Sequence, residues 1–490
     1  MRLTVVATAC NLADITKALA SQAGDGISHL VTFGSRAADY KASSLLRMTS
    51  AQGQRGHIMK DDRFTGFGLA LTQSPGFEAS LLEAMDTLQR GSEGHVYRNH
   101  DLQSPSDYVN YVSIIADRIA TILTDEAIDT VLFYDVPHLF YDSLMYHVAK
   151  ALGLRTLVLR SAHMPRQFYS MSDITHLGHT RSVPGAEPFP IEPGKVPELY
   201  YMKGIKQEKS ELGRITGRAL MHLVAHVMTR EPQLLLRPGR LWSIYRRMDA
   251  AARRLPKWRD PFARFFSTDS LFFAEQLAGI EQTEPDLGQP FVYFPLHLQP
   301  EMTTSILGGV YRDQLMAIEA TAAMLPEGYL IYVKENPKQD GRYRRPLFYH
   351  RLRRIPQVRM MPSHANTHDL TGASDYVATI SGTVAWEAIL MGKPALVFGD
   401  TWMQALPGVT RYRPGLRHGD IADDAVDHDA LQQAVGVLVA ASHEGVLSRH
   451  AARQDADHSA SANAEDVATT VWSLLQGETP LTFTAPGEAS

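Results

Sequence analysis

Twice along this chain, short apolar runs alternate with longer segments whose apolar residues recur every three or four positions. In the first block, Leu3 to Ala9, His29 to Phe33, Thr130 to Tyr134 and Arg155 to Leu159 read as buried strands, and Phe77 to Leu88, Tyr108 to Leu123 and Tyr141 to Leu152 read as helices. The second block opens with Phe291 to Leu296 and continues through Tyr329 to Lys334, Val358 to Met360, Tyr376 to Ile380 and Ala395 to Phe398. Helical spacing separates them at Tyr311 to Met324, Pro346 to Arg354 and Val384 to Met391, and two more helices, Ala430 to Val439 and Val467 to Leu475, close the block. Strands joined through helices pair in parallel, so both halves are expected to be α/β. No internal sequence repeat accompanies the alternation.

The 490 residues leave room for two to four domains of roughly 150 residues each. The boundaries read as 1–200 for an N-terminal domain, 201–284 for a helical linker, 285–476 for a C-terminal domain and 477–490 for a frayed tail. Residues 160–200, rich in Pro, Gly, Ser and His, read as loops. The linker is unusual in charge. From Lys203 to Arg264 there are 15 basic residues against five acidic ones, inside a chain of net charge −5. Trp242, Tyr245 and Trp258 lie among the arginines. A solvated brace and a surface resting on anionic lipid both fit that composition.

Composition excludes several classes. With 44% hydrophobic and 21% charged residues, the chain is neither disordered nor collagenous. The near-balanced charge argues against a general nucleic-acid binder. Cys10 is the only cysteine, which suits a reducing compartment, and Met1 to Cys10 reads as a first strand rather than a lipidated signal. No run of 18 apolar residues occurs, so no spanning helix is expected and the protein should be cytoplasmic. Neither a Gly-x-Gly-x-x-Gly run nor a Walker loop is present, which argues against dinucleotides and ATP. His222 and His226 lack the glutamate of a zincin, His364, His368 and Asp369 fit an ordinary loop, and Asp427-His428-Asp429 fits a helix cap. No metal and no cofactor is expected.

Ligands of open α/β sheets sit beyond the carboxyl ends of the strands. Four segments of the second half occupy such ends: Leu296 to Glu301 with Gln299, Val333 to Lys338 with Lys334, Asn336 and Pro337, Ser381-Gly382-Thr383, and Phe398 to Trp402. The Ser-Gly-Thr turn opens a helix, where free N–H groups and the helix dipole favour phosphate, although an ordinary cap uses the same residues. Glu387, one turn on, is placed for ribose hydroxyls. In the first half, Asp135 and His138 follow one strand and His163 follows the next. Each histidine also fits a structural role; with Asp135 they are the acid/base candidates of that half.

Three runs together resemble the bacterial capsule polysaccharide biosynthesis family. They are Phe294-Pro-Leu-His-Leu-Gln-Pro-Glu301, Tyr332-Val-Lys-Glu-Asn-Pro337, and Ile380-Ser-Gly-Thr-Val-Ala-Trp-Glu-Ala-Ile-Leu-Met-Gly-Lys-Pro394 with Phe398-Gly399. The resemblance covers about residues 285–410 and, loosely, Asp135 to Leu159. It implies a GT-B-like fold of two Rossmann-like domains facing across a crevice; the basic helical segment, read from its charge, is expected as an insertion. It further implies a glycosyltransferase that moves a sugar from a nucleotide donor, such as CMP-activated Kdo (3-deoxy-manno-octulosonic acid), onto a surface polysaccharide. Carried over, Gln299, Lys334, Asn336, Pro337, Ser381, Gly382, Thr383 and Glu387 would hold the donor. Glu301 or Asp135 would act as base or nucleophile with His163, and His138 would meet the acceptor. Relatives carry His-Pro where this chain has Asn336-Pro337, and asparagine cannot supply a protonated imidazole beside phosphate. A nucleotide-sugar epimerase and a non-catalytic polysaccharide-assembly protein are the alternative readings.

Overall fold

A computed structural model of the chain describes residues 1–6, 12–33, 45–48, 64–67, 81–82, 104–138, 140–192, 194, 283–299, 301–336, 339, 344, 346–362, 365–448, 451–452 and 458–487, with short stretches between 221 and 246. Most of the helix read over Phe77 to Leu88, most of the basic segment, and Pro337, His222, His226 and His364 lie outside the described residues. Two compact units emerge, one from Met1–Pro190, Pro197–Lys203 and Asp429–Ser490, the other from Ile191–Val196 and Gly204–His428.

In the first unit the apolar runs form β1 (Arg2–Val6), β2 (His29–Phe33), β3 (Leu45–Met48), β4 (Thr130–Phe133), β5 (Arg155–Ser161) and β6 (Gln167–Met171). Their spatial order is β3-β2-β1-β4-β5-β6, parallel except that β6 runs antiparallel to β5. The Pro105–Asp125 helix crosses from β3 to β4. Its start is written in Ser-Pro-Ser-Asp: the Ser104 hydroxyl accepts from Asp107 N, the Asp107 carboxylate accepts from Ser104 N, and Pro105 sits where its missing N–H costs nothing. Its buried face carries Tyr108, Tyr111, Val112, Ile115, Ile119 and Ile122.

The second unit forms β7 (Phe291–Pro295), β8 (Leu330–Lys334), β9 (Val358–Met361), β10 (Val377–Thr379), β11 (Ala395–Val397) and β12 (Val409–Arg411). Every pairing is parallel, in the order β9-β8-β7-β10-β11-β12. Helices cover such a sheet on both faces, which is why its strands read as unbroken apolar runs. Counted within its own unit, each set of six strands follows the order 3-2-1-4-5-6, that of doubly wound nucleotide-binding sheets. The chain is thus an α/β protein with two Rossmann-like units. The order reverses between β1 and β4 in the first unit and between β7 and β10 in the second.

Three segments depart from the sequence reading. Residues 429–476, read as the close of the C-terminal half, pack in the first unit. There β13 (His443–Glu444) pairs with β6, and the Ala460–Gln476 helix lays Val467, Val471 and Leu474 into a core shared with Leu12, Ile15 and Leu19 of the Leu12–Ala23 helix. Gly26 makes room for this helix, since a Cβ there would stand 2.7 Å from the Trp472 ring. Periodicity shows that a helix has a buried face; it does not name the sheet it covers. Within the stretch read as loops, Gln167–Met171 is a buried strand. The tail read as frayed is docked: Thr482 and Phe483 are fully buried, Phe483 N donates to Ser170 O, and the Phe483 ring packs on Tyr169.

Candidate functional site

The second unit's reversal point is built by the segments that leave β7 and β10. After β7, His297 is clamped through its backbone. Its N–H donates to Gln314 Oε1 at 2.9 Å, while its carbonyl accepts from Gln314 Nε2 at 3.2 Å and from Arg344 at 2.7 Å. The ring Nε2 lies 2.6 Å from Thr379 Oγ1, at the last residue of β10. Burial pushes the ring's pKa down to about 4, against the pull of the nearby Glu301 charge and with the help of Arg344. His297 is therefore neutral at pH 7. Gly382 is what admits the ring: a Cβ there would lie 2.6 Å from His297 Cε1 and 2.9 Å from Thr379 Oγ1.

Ser381, Gly382 and Thr383 form the turn into the Val384–Leu390 helix. The Ser381 hydroxyl donates to Thr303 O at 2.6 Å, so this side chain ties the turn to the next loop. Ala385 N donates to Gly382 O, and the Thr383 side chain makes no capping bond. Thr303 joins Glu301 to the same place, because the Glu301 carboxylate accepts from Thr303 N at 3.1 Å and from the Thr303 hydroxyl. Glu301 is thus the cap of the short Met302–Ser305 turn. The structure brings Glu301, Ser381 and Gly382 together around His297, a residue the sequence reading quoted without giving it a role.

A second cluster surrounds Lys334 at the end of β8. Its ammonium donates to Ala365 O at 2.7 Å and to Thr367 Oγ1 at 3.0 Å. Thr367 also hydrogen-bonds Tyr293, whose phenol is pushed well above its usual range by burial first and by the Glu387 charge. Burial raises Glu387 from the usual 4.5 to about 7, so near neutrality this carboxyl both donates and accepts. Behind these groups runs a buried ion pair. Arg344 and Glu335 meet at 3.1 Å with side chains 1% and 2% exposed, and the Tyr349 hydroxyl donates to Glu335 at 2.8 Å. Asn336 N donates to Glu335 Oε1 at 2.8 Å. Gln339 and Gln299 are tied through Gln339 Oε1 and Nε2 at 2.8 and 2.9 Å, and Gln299 Nε2 donates to Arg312 O. The Gln299 side-chain oxygen accepts from Gln314 at 3.2 Å, so its amide braces the loop from within the protein.

The first unit furnishes its reversal point differently. Asp135 Oδ1 accepts from Val136 N at 2.8 Å, and His138 Nδ1 lies 2.7 Å from Val136 O. A carbonyl only accepts, so Nδ1 carries a proton and Nε2 is the ring nitrogen left to face other groups. Buried Asp142 accepts from His138 N at 3.2 Å and Ser143 N at 2.7 Å. Between them Phe140 adopts φ 70° and ψ −70°, a strained conformation for a side chain that is buried and stacked on Tyr111. His163 behaves otherwise. Burial, assisted by Arg160, pulls it down to about 3, and a ring so weakly basic accepts a proton poorly near neutrality.

Sequence signals existed for part of this. His297 lies inside the run that includes Glu301, and Gly382 follows Ser381 directly. Nothing in the spacing singles out Arg344, Gln339 or Tyr349, whose partners come from other loops. Among the described residues, no group of three His, Cys, Asp or Glu is placed to hold a metal, and no helix is long and apolar enough to cross a membrane.

No family model matches the sequence, and no curated protein matches it. Among solved structures the chain is similar to Thermosulfurimonas dismutans KpsC, a beta Kdo 2,7 transferase, with TM-score 0.30 and 11% identity over 72% of this chain and 89% of that one. It is similar to the UDP-GlcNAc 2-epimerase of Methanocaldococcus jannaschii, with TM-score 0.22 and 9% identity over 97% and 100%. It is also similar to an alpha,alpha-trehalose-phosphate synthase (UDP-forming) of Burkholderia vietnamiensis, with TM-score 0.27 and 12% identity over 98% of each. Similarities at this level name neither a substrate nor a reaction.

Proposed function

We propose that this chain is a glycosyltransferase whose second unit holds a nucleotide-sugar donor at the β7/β10 reversal point. The observation that carries the proposal is the seating of a neutral His297 beneath Gly382, with Glu301 and the Ser381–Thr383 turn joined to it through Thr303. Ligands of doubly wound sheets bind at such points. The backbone of Ser381, Gly382 and Thr383 and the charge of Lys334 face the donor phosphate. Gln299 and Asn336 shape the nucleotide site, and Glu387 exchanges hydrogen bonds with the ribose. The motif resemblance favours CMP-Kdo as donor and a surface polysaccharide as acceptor, in the cytoplasm.

In the reaction the sugar–phosphate C–O bond breaks and the nucleotide leaves with its electron pair. The acceptor oxygen forms the new bond and gives its proton to a carboxylate, Glu301 or Asp135, with His138 as the acceptor-side contact. His163, held neutral and weakly basic, is left out of the proton path. Lys334 and the backbone N–H groups neutralise the leaving phosphate, so the proposal expects turnover in the presence of a chelator.

Incubation with CMP-Kdo and with UDP-sugars, each with and without a polysaccharide acceptor, tests the proposal. Acceptor-dependent release of nucleotide is the expected result. Epimerised donor without acceptor would establish the epimerase reading instead, and binding without turnover would establish an assembly protein.

A further inference from the structure

Large apolar side chains are unusually exposed in one stretch of the second unit. Met221, Val224 and Met228 are 66%, 51% and 63% exposed, and their spacing places them on one face of a helical segment. Leu235, Leu236 and Trp242 are 54%, 85% and 62% exposed. Two residues of the same stretch point inward: Val227 and Leu234 are 4% and 5% exposed and anchor it. The outward residues are therefore held on an anchored element. Leu236 ends the Pro232–Leu236 turn, Arg240 N and Leu241 N donate to Arg237 O, and Trp242 stacks on Tyr245 with ring centroids 5.5 Å apart.

Charge identifies the occupant. Arg237, Arg240 and Arg246 are exposed beside these apolar groups, and the sequence from 221 to 246 carries four arginines against one acidic residue, Glu231. Aliphatic tips, a stacked Trp–Tyr pair and arginines together match the boundary between acyl chains and anionic headgroups. A nucleic acid would leave Leu235, Leu236 and the two methionines without apolar partners.

We infer that Met221, Val224, Met228, Leu235, Leu236 and Trp242, with Arg237, Arg240 and Arg246, form a docking surface for an anionic lipid bilayer. The inference stands independently of the donor-site proposal, since none of its residues belongs to that site. It would place the protein at the membrane where lipid-linked substrates gather.

The test uses the full chain with vesicles of phosphatidylcholine alone and of equal parts phosphatidylcholine and phosphatidylglycerol. Cosedimentation is expected only with the anionic vesicles and should weaken as salt is added. Replacing Arg237, Arg240 and Arg246 together by Gln should weaken binding about a hundredfold, at roughly fivefold per charge. Leu236→Ser with Trp242→Ser should weaken it about tenfold or more at every salt concentration. These positions are exposed, so thermal midpoints should stay unchanged. A blue shift of emission on vesicle addition should vanish in Trp242→Phe. The inference is overturned by equal affinity for both vesicle types, by no affinity for either, or by binding that neither variant set alters; the last outcome would leave this face to a protein partner.

Discussion

The two reversal points share one topology and are held in place by different means. In the second unit, bonds reach across loops: Gln314 and Arg344 grip the His297 backbone, Gln339 grips Gln299, and Ser381 grips Thr303. Among the described residues of the first unit's reversal point, Asp135 and His138 both bond to Val136, and strain is held at Phe140. An edge braced from several loops keeps backbone N–H groups in register and suits the holding of a donor. A turn that presents a carboxylate and an imidazole suits proton transfer.

The largest effect should follow from removing a brace. Arg344→Met leaves Glu335 buried without its cationic partner, and should cost about 3–5 kcal/mol of unfolding free energy. Arg351 pairs with Asp313 and Glu319 while about a third or more of each side chain is exposed; Arg351→Met should cost under about 1 kcal/mol. Urea titration separates the two. Equal losses would show that the second unit's edge is not braced by its buried pair.

Next in size are changes at the two reversal points themselves. Asp135→Asn should lower turnover by about a hundredfold or more while donor affinity stays within tenfold, or ~1.4 kcal/mol. Gly382→Ala should do the reverse, since its methyl collides with His297 and overpacking costs about 1–3 kcal/mol. Nucleotide titration calorimetry beside a turnover assay reads both. If Gly382→Ala leaves donor affinity unchanged, the division of labour is wrong.

Much of the framework was legible because parallel strands covered on both faces must be apolar throughout. Phe291–Pro295, Leu330–Lys334 and His29–Phe33 announce themselves in this way. Gln167–Met171 did not, because Ser170 and Gln167 interrupt its apolar character, and Ser170 is buried against His443 and Thr482 rather than solvated. The tail was read from its Pro and Thr content, which carries no trace of Phe483 docking on Tyr169. At the site, turn residues such as Ser381 and Gly382 were visible as punctuation. Their purpose was not: the ring that Gly382 admits lies far away in sequence, and the arginine that holds that ring's backbone stands in the sequence beside Arg342 and Arg345. Local pattern reports which residues bend the chain, and long-range side-chain bonds leave no local pattern.

The smallest predicted effect is one of pH. Glu387 is raised in the folded state, so the stability it contributes is complete below its unfolded value of 4.5 and is lost as pH rises through about 7. His297 runs the other way: its contribution is complete above 6.5 and is lost as pH falls through about 4. Thermal midpoints of Glu387→Gln should therefore lack a decline between pH 4.5 and 7 that the unaltered chain shows. A decline that survives in Glu387→Gln would assign it to another group.

The central claim, that the second unit alone seats the donor phosphate, is tested most directly by a crystal structure of the chain with a bound cytidine or uridine nucleotide. The predicted result is a phosphate accepting hydrogen bonds from the backbone N–H groups of Ser381–Thr383, near Lys334. A phosphate bound instead on the first unit, beside Asp135 and His138, would contradict it.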